Sequence, residues 1–206
     1  FIGNEVIHSI SEDSRGTIYA ATDDGVWQYN EESGAFERCR LVPKGAPGSK
    51  GPVYHFIEDS GFYWLSAWGK GLVRIDPAHN GYEVHSLPDG RIYSLYNNFI
   101  STDYIAAGSK SGGIYVLNKK TKKVVSYQAN HSFEGTLTNN VIYSLFISKY
   151  NMLFVGTADM LNIADLNRIS GDIAVPLSND TLGKQQRALS ELDSAISCLS
   201  ASRNYI

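Results

Sequence analysis

The sequence predicts an all-β fold, a β-propeller of four-stranded antiparallel blades, with four blades complete and a fifth begun. Three observations predict it. A short word recurs: "IYSL" at 92–95 and at 142–145, with "IHSI" at 7–10, "VYHF" at 53–56 and "ISCL" at 196–199 in the same place. The leading residues of these words, Ile7, Val53, Ile92, Ile142 and Ile196, lie 46, 39, 50 and 54 residues apart, and three further strand-like blocks follow each of the first four. That period suits a propeller blade; solenoid repeats are usually shorter and carry one strand or two. The composition agrees, since 13 Tyr, 8 Phe, 3 Trp and 19 Gly favour strands joined by tight turns.

Each element of the unit has a physical reason. Strand one is the recurrent word, closed by Ile10, Phe56, Leu95, Leu145 and Leu199. Strand two reads "TIYAAT" (17–22), "YWLSAW" (63–68), "YIAAGS" (104–109) and "LFVGT" (153–157). Both strands are apolar on both faces, as expected of sheets buried between neighbouring blades. Strand three reads "GVWQYN" (25–30), "GLVRID" (71–76), "GIYVLN" (113–118) and "MLNIAD" (160–165). Gly25, Gly71 and Gly113 open it, and Met160 departs from that pattern. A glycine there supplies a backbone conformation that branched residues resist. Asn30, Asp76, Asn118 and Asp165 close the strand, where a side-chain oxygen can accept from the backbone two residues on and start a turn. Strand four is more polar, "FERCRL" (36–41), "YEVHSL" (82–87), "VVSYQ" (124–128) and "DIAVPL" (172–177), as an outer edge should be. The blades are placed at about 4–50, 51–89, 90–139 and 140–194, with 195–206 incomplete, and the expectation is that the chain belongs to a larger, seven-bladed propeller. Within the long connection 173–195, "GKQQRALSELD" (183–193) reads as a short helix.

Composition narrows the function classes. With 43% hydrophobic and 19% charged residues, the chain has material for a core. The net charge of −3 is scattered. The basic run Lys119, Lys120, Lys122 and Lys123 falls at a turn and reads as a solvated hairpin tip, whereas a nucleic-acid binder is basic across a face. No apolar run is long enough to span a bilayer. Cys39 and Cys198 fall in different repeat positions and form no metal-ligand spacing, and His8 and His55 lack partners at such spacing. There is no nucleophile elbow, phosphate loop or zinc helix, so no catalytic residue, metal or cofactor is expected.

The topology of a blade puts the loop before strand one and the loop between strands two and three at one end. Asn4, Lys50, Arg91 and Asn140 come from the first set; Asp23, Asp24, Trp68, Lys70, Ser109, Lys110, Thr157 and Asp159 come from the second. The candidate ligand-binding set drawn from these is Lys50, Trp68, Lys70, Arg91, Ser109, Lys110, Asn140 and Asp159. Trp68 stands in a column with Thr22, Ser109 and Thr157. Its indole could stack on a sugar ring, with Lys70 nearby for an acidic group. The competing reading, that Trp68 fills a packing gap between blades two and three, is slightly favoured. A second column, His8, Tyr54, Tyr93, Tyr143 and Ser197, lies on the innermost strand. It either faces the channel or packs between blades, and packing is the stronger expectation. Glu12, Asp13, Glu58 and Asp59 fall at the opposite end, which makes them poor candidates for the carboxylate pair of a hydrolase.

Several words resemble a known repeat. "TLTNNVIYSLF" (136–146) followed by "LFVGT" (153–157) is similar to the two-component regulator propeller repeat. So are Glu12-Asp13 and Glu58-Asp59 with Gly16 and Gly61 after them, the aromatics Tyr19, Trp64 and Phe154, and Thr22 and Thr157. "ALSELDSAISCL" (188–199) repeats the opening pattern. The stretch Asp59-Ser60-Gly61-Phe62-Tyr63-Trp64 also resembles part of the Asp box of sialidase propellers, a turn device. The propeller-repeat resemblance spans essentially the whole chain and is clearest in blades one, two and four. It implies the periplasmic sensor region of a bacterial hybrid two-component protein, homodimeric at full length. Such a region responds to an oligosaccharide or other small ligand and controls transcription through a kinase phosphorelay beyond a membrane span. It also implies no enzyme activity in this chain, no nucleic-acid contact by it, and membrane attachment only through segments outside it. The rival readings are a polysaccharide-active lyase or hydrolase and a protein-binding scaffold.

Overall fold

The computed structural model describes residues 5–96, 103–129, 136–148, 150, 152–159 and 161–165. The fourth strand expected at 172–177, the helix expected within 173–195 and the fifth copy lie outside them. The described residues form fifteen strands and no helix. Blade one is β1 (Ile7–Glu12), β2 (Ile18–Thr22), β3 (Gly25–Asn30) and β4 (Ala35–Arg38). Blade two is β5 (Val53–Asp59), β6 (Phe62–Ala67), β7 (Gly71–Asp76) and β8 (Gly81–His85). Blade three is β9 (Ile92–Tyr96), β10 (Tyr104–Ser109), β11 (Ile114–Asn118) and β12 (Val124–Tyr127). Blade four shows β13 (Ile142–Ile147), β14 (Met152–Thr157) and β15 (Leu161–Asp165). Every sheet is an antiparallel meander in chain order. The first strands are innermost: β1 packs on β5, β5 on β9 and β9 on β13.

The core lies between blades. Tyr19, Ala21 and Val26 meet Val53, Phe56 and Leu65; Trp64 and Leu72 meet Ile92, Leu95 and Ala107; Ala106, Ile114 and Val116 meet Ile142, Leu145 and Val155. The fourth column of strand one shows the logic. Phe56 is 1% exposed, Leu95 2% and Leu145 9%, each covered by the blade before it. Ile10, the equivalent residue of β1, is 67% exposed, and Ile7 and Ile18 beside it are also exposed. The expectation that the first two strands are buried on both faces therefore fails for strand one of blade one, whose far face no blade covers among the described residues, whereas strand two stays buried from Tyr19 to Thr22.

The turns follow their sequence signals. The Asn30 side-chain oxygen accepts from the backbone of Glu32 at 2.9 Å, Asp76 from Ala78 at 3.1 Å and Asn118 from Lys120 at 3.0 Å. Gly71 has φ of 86°, and a Cβ there would stand 2.5 Å from the His85 carbonyl oxygen. Backbone conformation and the close approach of the chain leaving strand four both require the glycine.

Consecutive blades are tied at the end remote from the candidate loops. Asp13, buried, accepts from the Tyr19 hydroxyl at 3.0 Å, from the Tyr63 hydroxyl of blade two at 2.8 Å and from Arg15 Nη2 at 2.9 Å. Burial raises its pKa, but the hydrogen bonds from Arg15, Tyr63 and Thr17 outweigh that and hold the carboxyl well below the usual range. At the next joint Asp59 pairs with Lys119 of blade three at 2.8 Å. Lys120 pairs with Asp103 and Lys122 with Glu83, both at 2.8 Å. The lysine-rich tip is therefore charge-compensated, and part of it ties blade three to blade two.

Candidate functional site

Strand one carries a β-bulge in every blade, at the same place. Ile7 pairs with Thr22 and Ser9 with Ala21, so His8 is the extra residue. Tyr93 is extra between the pairs Ile92–Ser109 and Ser94–Gly108, and Tyr143 between Ile142–Thr157 and Ser144–Gly156. In β5 the shift lies between Val53–Ala67 and Phe56–Leu65, which leaves Tyr54 and His55 opposite Ser66. A bulge re-aims a side chain out of the alternating pattern. Repeated on the innermost strand, it brings one aromatic column to the inner rim of the arc.

These rings meet. His8 stacks on Tyr54 with centroids 3.9 Å apart, and Tyr54 lies 5.1 Å from Tyr93. Trp68 bridges the two tyrosines at 5.0 Å and 5.6 Å. Tyr143, the next member of the column, is 65% exposed. His8, Tyr54, Trp68 and Tyr93 are half-buried, unlike the core aromatics Tyr19 and Trp64, which are 1% exposed. The column packs from blade to blade, as expected, and does so as a rim of rings in contact with one another, half-buried and not within the core. The bulge is the reason, and alternation along the strand conceals it.

The strand register also moves Trp68 out of its expected column. Thr22 pairs with Ile7, Ser109 with Ile92, Thr157 with Ile142, and the matching partner of Val53 is Ala67. The loop 68–70 is longer by one residue than the loop 23–24, so Trp68 is the first loop residue, equivalent to Asp23, Lys110 and Ala158. The backbone confirms the equivalence: Asp23, Trp68, Lys110 and Ala158 donate their N–H to Val6, Pro52, Arg91 and Val141. This second ring of positions sits beside the bulge column. Asp23 holds His8 Nε2 at 2.7 Å, and the Lys110 ammonium lies 5.9 Å from the Trp68 ring centroid.

The remaining candidates divide. Lys50 and Lys70 are exposed at this end, Lys50 close enough to Asp24 to help lower the pKa of that carboxyl, which Arg38 dominates. Arg91 is engaged: its Nε meets Asp89 at 2.8 Å and its Nη2 donates to Ser111 Oγ at 2.6 Å. Ser109 is fully buried, and its hydroxyl is used in the turn, donating to the Gly113 carbonyl and accepting from Gly112 N–H. Thr22 makes the same turn bond to Gly25. Asn140 accepts from Ala129 N–H at 2.6 Å and holds a loop together. Asp159 is exposed, accepting from Asn139 at 3.2 Å. Asn4 lies outside the described residues. The arrangement thus brings Trp68 and Lys110 together, with Lys70 in the same loop as Trp68, and gives Ser109, Asn140 and Arg91 structural contacts. Tyr54, Tyr93 and His8 join the site. No group of His, Cys, Asp and Glu suited to a metal occurs among the described residues.

No protein-family model matches the chain, and no curated protein matches it in sequence. Solved structures do. The extracellular domain of BT4673 from B. thetaiotaomicron is 22% identical over 79% of this chain and 22% of that one, with a TM-score of 0.65. That protein is assigned to a one-component system in one structure and to a hybrid two-component system in another. The extracellular domain of BT3049, assigned to a hybrid two-component system of the same organism, is 17% identical over 84% of this chain and 25% of that one, TM-score 0.63. The β-propeller domain of Cps50 (Swd1) from Myceliophteria thermophila is 15% identical over 83% of this chain and 58% of that one, TM-score 0.55. The chain spans between a fifth and a quarter of the length of the B. thetaiotaomicron chains. In fold, this chain is a series of β-propeller blades, and it shares that fold with the extracellular domains of two-component system proteins.

Proposed function

We propose that this chain is the ligand-reading part of an extracytoplasmic, periplasmic sensor that signals through a two-component phosphorelay to transcription. It binds an oligosaccharide at the inner rim and does no chemistry on it. The observation that carries the reading is the ring constellation Tyr54–Trp68–Tyr93, in which bulges hold the two tyrosines half-exposed against the loop residue Trp68. Aromatic faces suit the apolar faces of sugars, and half-buried rings in contact lose little freedom on binding. The shared fold with extracellular domains of two-component system proteins supports the cellular setting. The carboxylates Asp13 and Asp59 support binding over hydrolysis, because both are committed to joints between blades. The test is titration calorimetry of the full-length protein's sensor region against an oligosaccharide library, with Trp68→Ala beside the parent. The reading expects a library member to bind the parent and to lose at least about tenfold in affinity in the variant, with the unfolding midpoint held. Loss of folding in Trp68→Ala, or unchanged sugar affinity, counts against it.

A further inference from the structure

The lysines of this chain are distributed unevenly with respect to their partners. At the end remote from the rim, Lys119, Lys120 and Lys122 each meet a carboxylate at 2.8 Å. At the rim end, Lys70 and Lys110 are exposed and have no carboxylate partner among the described residues. The rim carboxylates, by contrast, are used. Asp23 holds His8, Asp24 pairs with Arg38, Asp89 with Arg91, and Asp159 takes the amide of Asn139. The exception is Glu5 at the blade-one edge, whose Oε2 is buried without a hydrogen bond. The rim is therefore polarised: acidic at blade one, with cations in excess at blades two and three, and the aromatic rings between. Lys110 rests above Trp68 at 5.9 Å, a distance at which an ammonium is attracted to a ring face. That contact is weak at an exposed site and is readily exchanged for a charge-assisted hydrogen bond.

From this arrangement we infer that the rim takes a ligand with an anionic substituent on a ring, the ring lying on Trp68 and the anion meeting Lys110 and Lys70. Arg91 is not the anion reader, since its guanidinium is already held by Asp89 and Ser111. The charge excess belongs to the blade-two and blade-three loops, so the anion points away from Asp23. A ring with an anionic group is common to acidic sugars and to aromatic carboxylates. The inference rests on the rim being a binding site, as proposed above, but not on the ligand being a sugar.

The experiment uses the full-length protein and three sets of probes: oligosaccharides bearing uronate or sulfate groups, the same oligosaccharides with those groups removed or esterified, and benzoate-type aryl carboxylates. Binding is read for the parent, Lys110→Gln, Lys70→Gln and Lys120→Gln. The expected result is binding of an anionic probe, with affinity falling as salt rises, about tenfold or more weaker in Lys110→Gln and unchanged in Lys120→Gln. Preference for the acidic sugars assigns the ligand to carbohydrate; preference for the aryl carboxylates keeps the charge reading and removes the sugar. Binding of the neutral oligosaccharides alone, untouched by Lys110→Gln, overturns the inference and leaves the carbohydrate reading standing. Binding of none of the three sets overturns both.

Discussion

Tyr63 of blade two donates its hydroxyl to the Asp13 carboxylate of blade one at 2.8 Å, and both side chains are buried. Asp13 also takes the hydroxyl of Tyr19, the backbone N–H of Thr17 and the guanidinium of Arg15. Replacing it removes the acceptor of two buried phenols, of which Tyr63 keeps the hydrogen bond it accepts from Arg15 Nη2 at 2.8 Å. Asp13→Ala is expected to cost about 3 kcal/mol, and Tyr63→Phe about 1–2, because the carboxylate then keeps its other donors. Urea unfolding measures both; an Asp13→Ala loss under about 0.5 kcal/mol, the range of a neutral surface change, would show that the joint contributes nothing. The sign in pH follows from the depressed native pKa: the contribution is full above the ordinary carboxylate range and disappears as pH falls below it.

The next joint separates ion pairs of equal length but unequal burial. Lys119–Asp59 and Lys120–Asp103 both measure 2.8 Å. The side chains of the first are 19% and 7% exposed, those of the second 74% and 45%. Water and salt screen the second pair almost completely, so Lys120→Gln is expected to change stability by less than about 0.5 kcal/mol. Lys119→Gln leaves Asp59 largely dry with a neutral partner and is expected to cost about 1–3 kcal/mol. A double-mutant cycle with Asp59→Asn should return a coupling of about 1 kcal/mol or more that survives high salt. Equal effects at Lys119 and Lys120 would refute the burial argument.

Much of this fold is legible in the sequence because blades repeat. Asn30, Asp76 and Asn118 announce their turns, and Gly71 announces a conformation that other residues resist. The rim was harder to read. A bulge adds a residue without any composition of its own, so Tyr54 and Tyr93 look like ordinary alternating strand residues. The four-fold recurrence of a large ring in that column was the available signal. The register at Trp68 is concealed for a related reason: counting back from Gly71 hides a loop one residue longer than that of blade one, and only the pairing of Val53 with Ala67 fixes it. Spacing places Arg91 and Ser109 on the correct end, but partners such as Asp89 and Gly113 are set by turn geometry, which spacing does not reveal.

The fourth column of strand one gives a matched pair of substitutions. Phe56 is 1% exposed against blade one, in ring contact with Tyr19 at 4.9 Å and Tyr63 at 5.2 Å. Phe56→Ala is expected to cost about 3–5 kcal/mol, the usual range for emptying an aromatic site in a core. Ile10, its equivalent at 67% exposure, should tolerate alanine in this chain within about 0.5 kcal/mol. Denaturation of the two variants side by side decides; a comparable loss at Ile10 would mean that the face of blade one is covered in solution.

His55 supplies an acid-side test. It follows Tyr54 in the bulge of β5, where burial first, and the neighbouring His8 second, push its pKa down to about 4. The ordinary histidine value of 6.5 applies once the chain unfolds. Between those values the unfolded chain binds a proton that the folded chain refuses, so stability falls as pH drops from about 6.5 to about 4. The full loss is roughly 3 kcal/mol at about 1.4 kcal/mol per pH unit. Burial lowers the pKa of His85 as well, which adds in the same direction. Carboxylates such as Asp13 and Asp89 have depressed values and withdraw their contribution only at lower pH, so the interval from pH 6.5 to 5 isolates the histidines. Unfolding free energies across that interval should therefore slope upward with pH in the parent. The slope should shrink in His55→Gln, whose backbone N–H can still bond Ser66 Oγ and keep the bulge in place. An identical slope in parent and variant would mean that His55 is protonated in the folded protein at pH 5, with water reaching its ring.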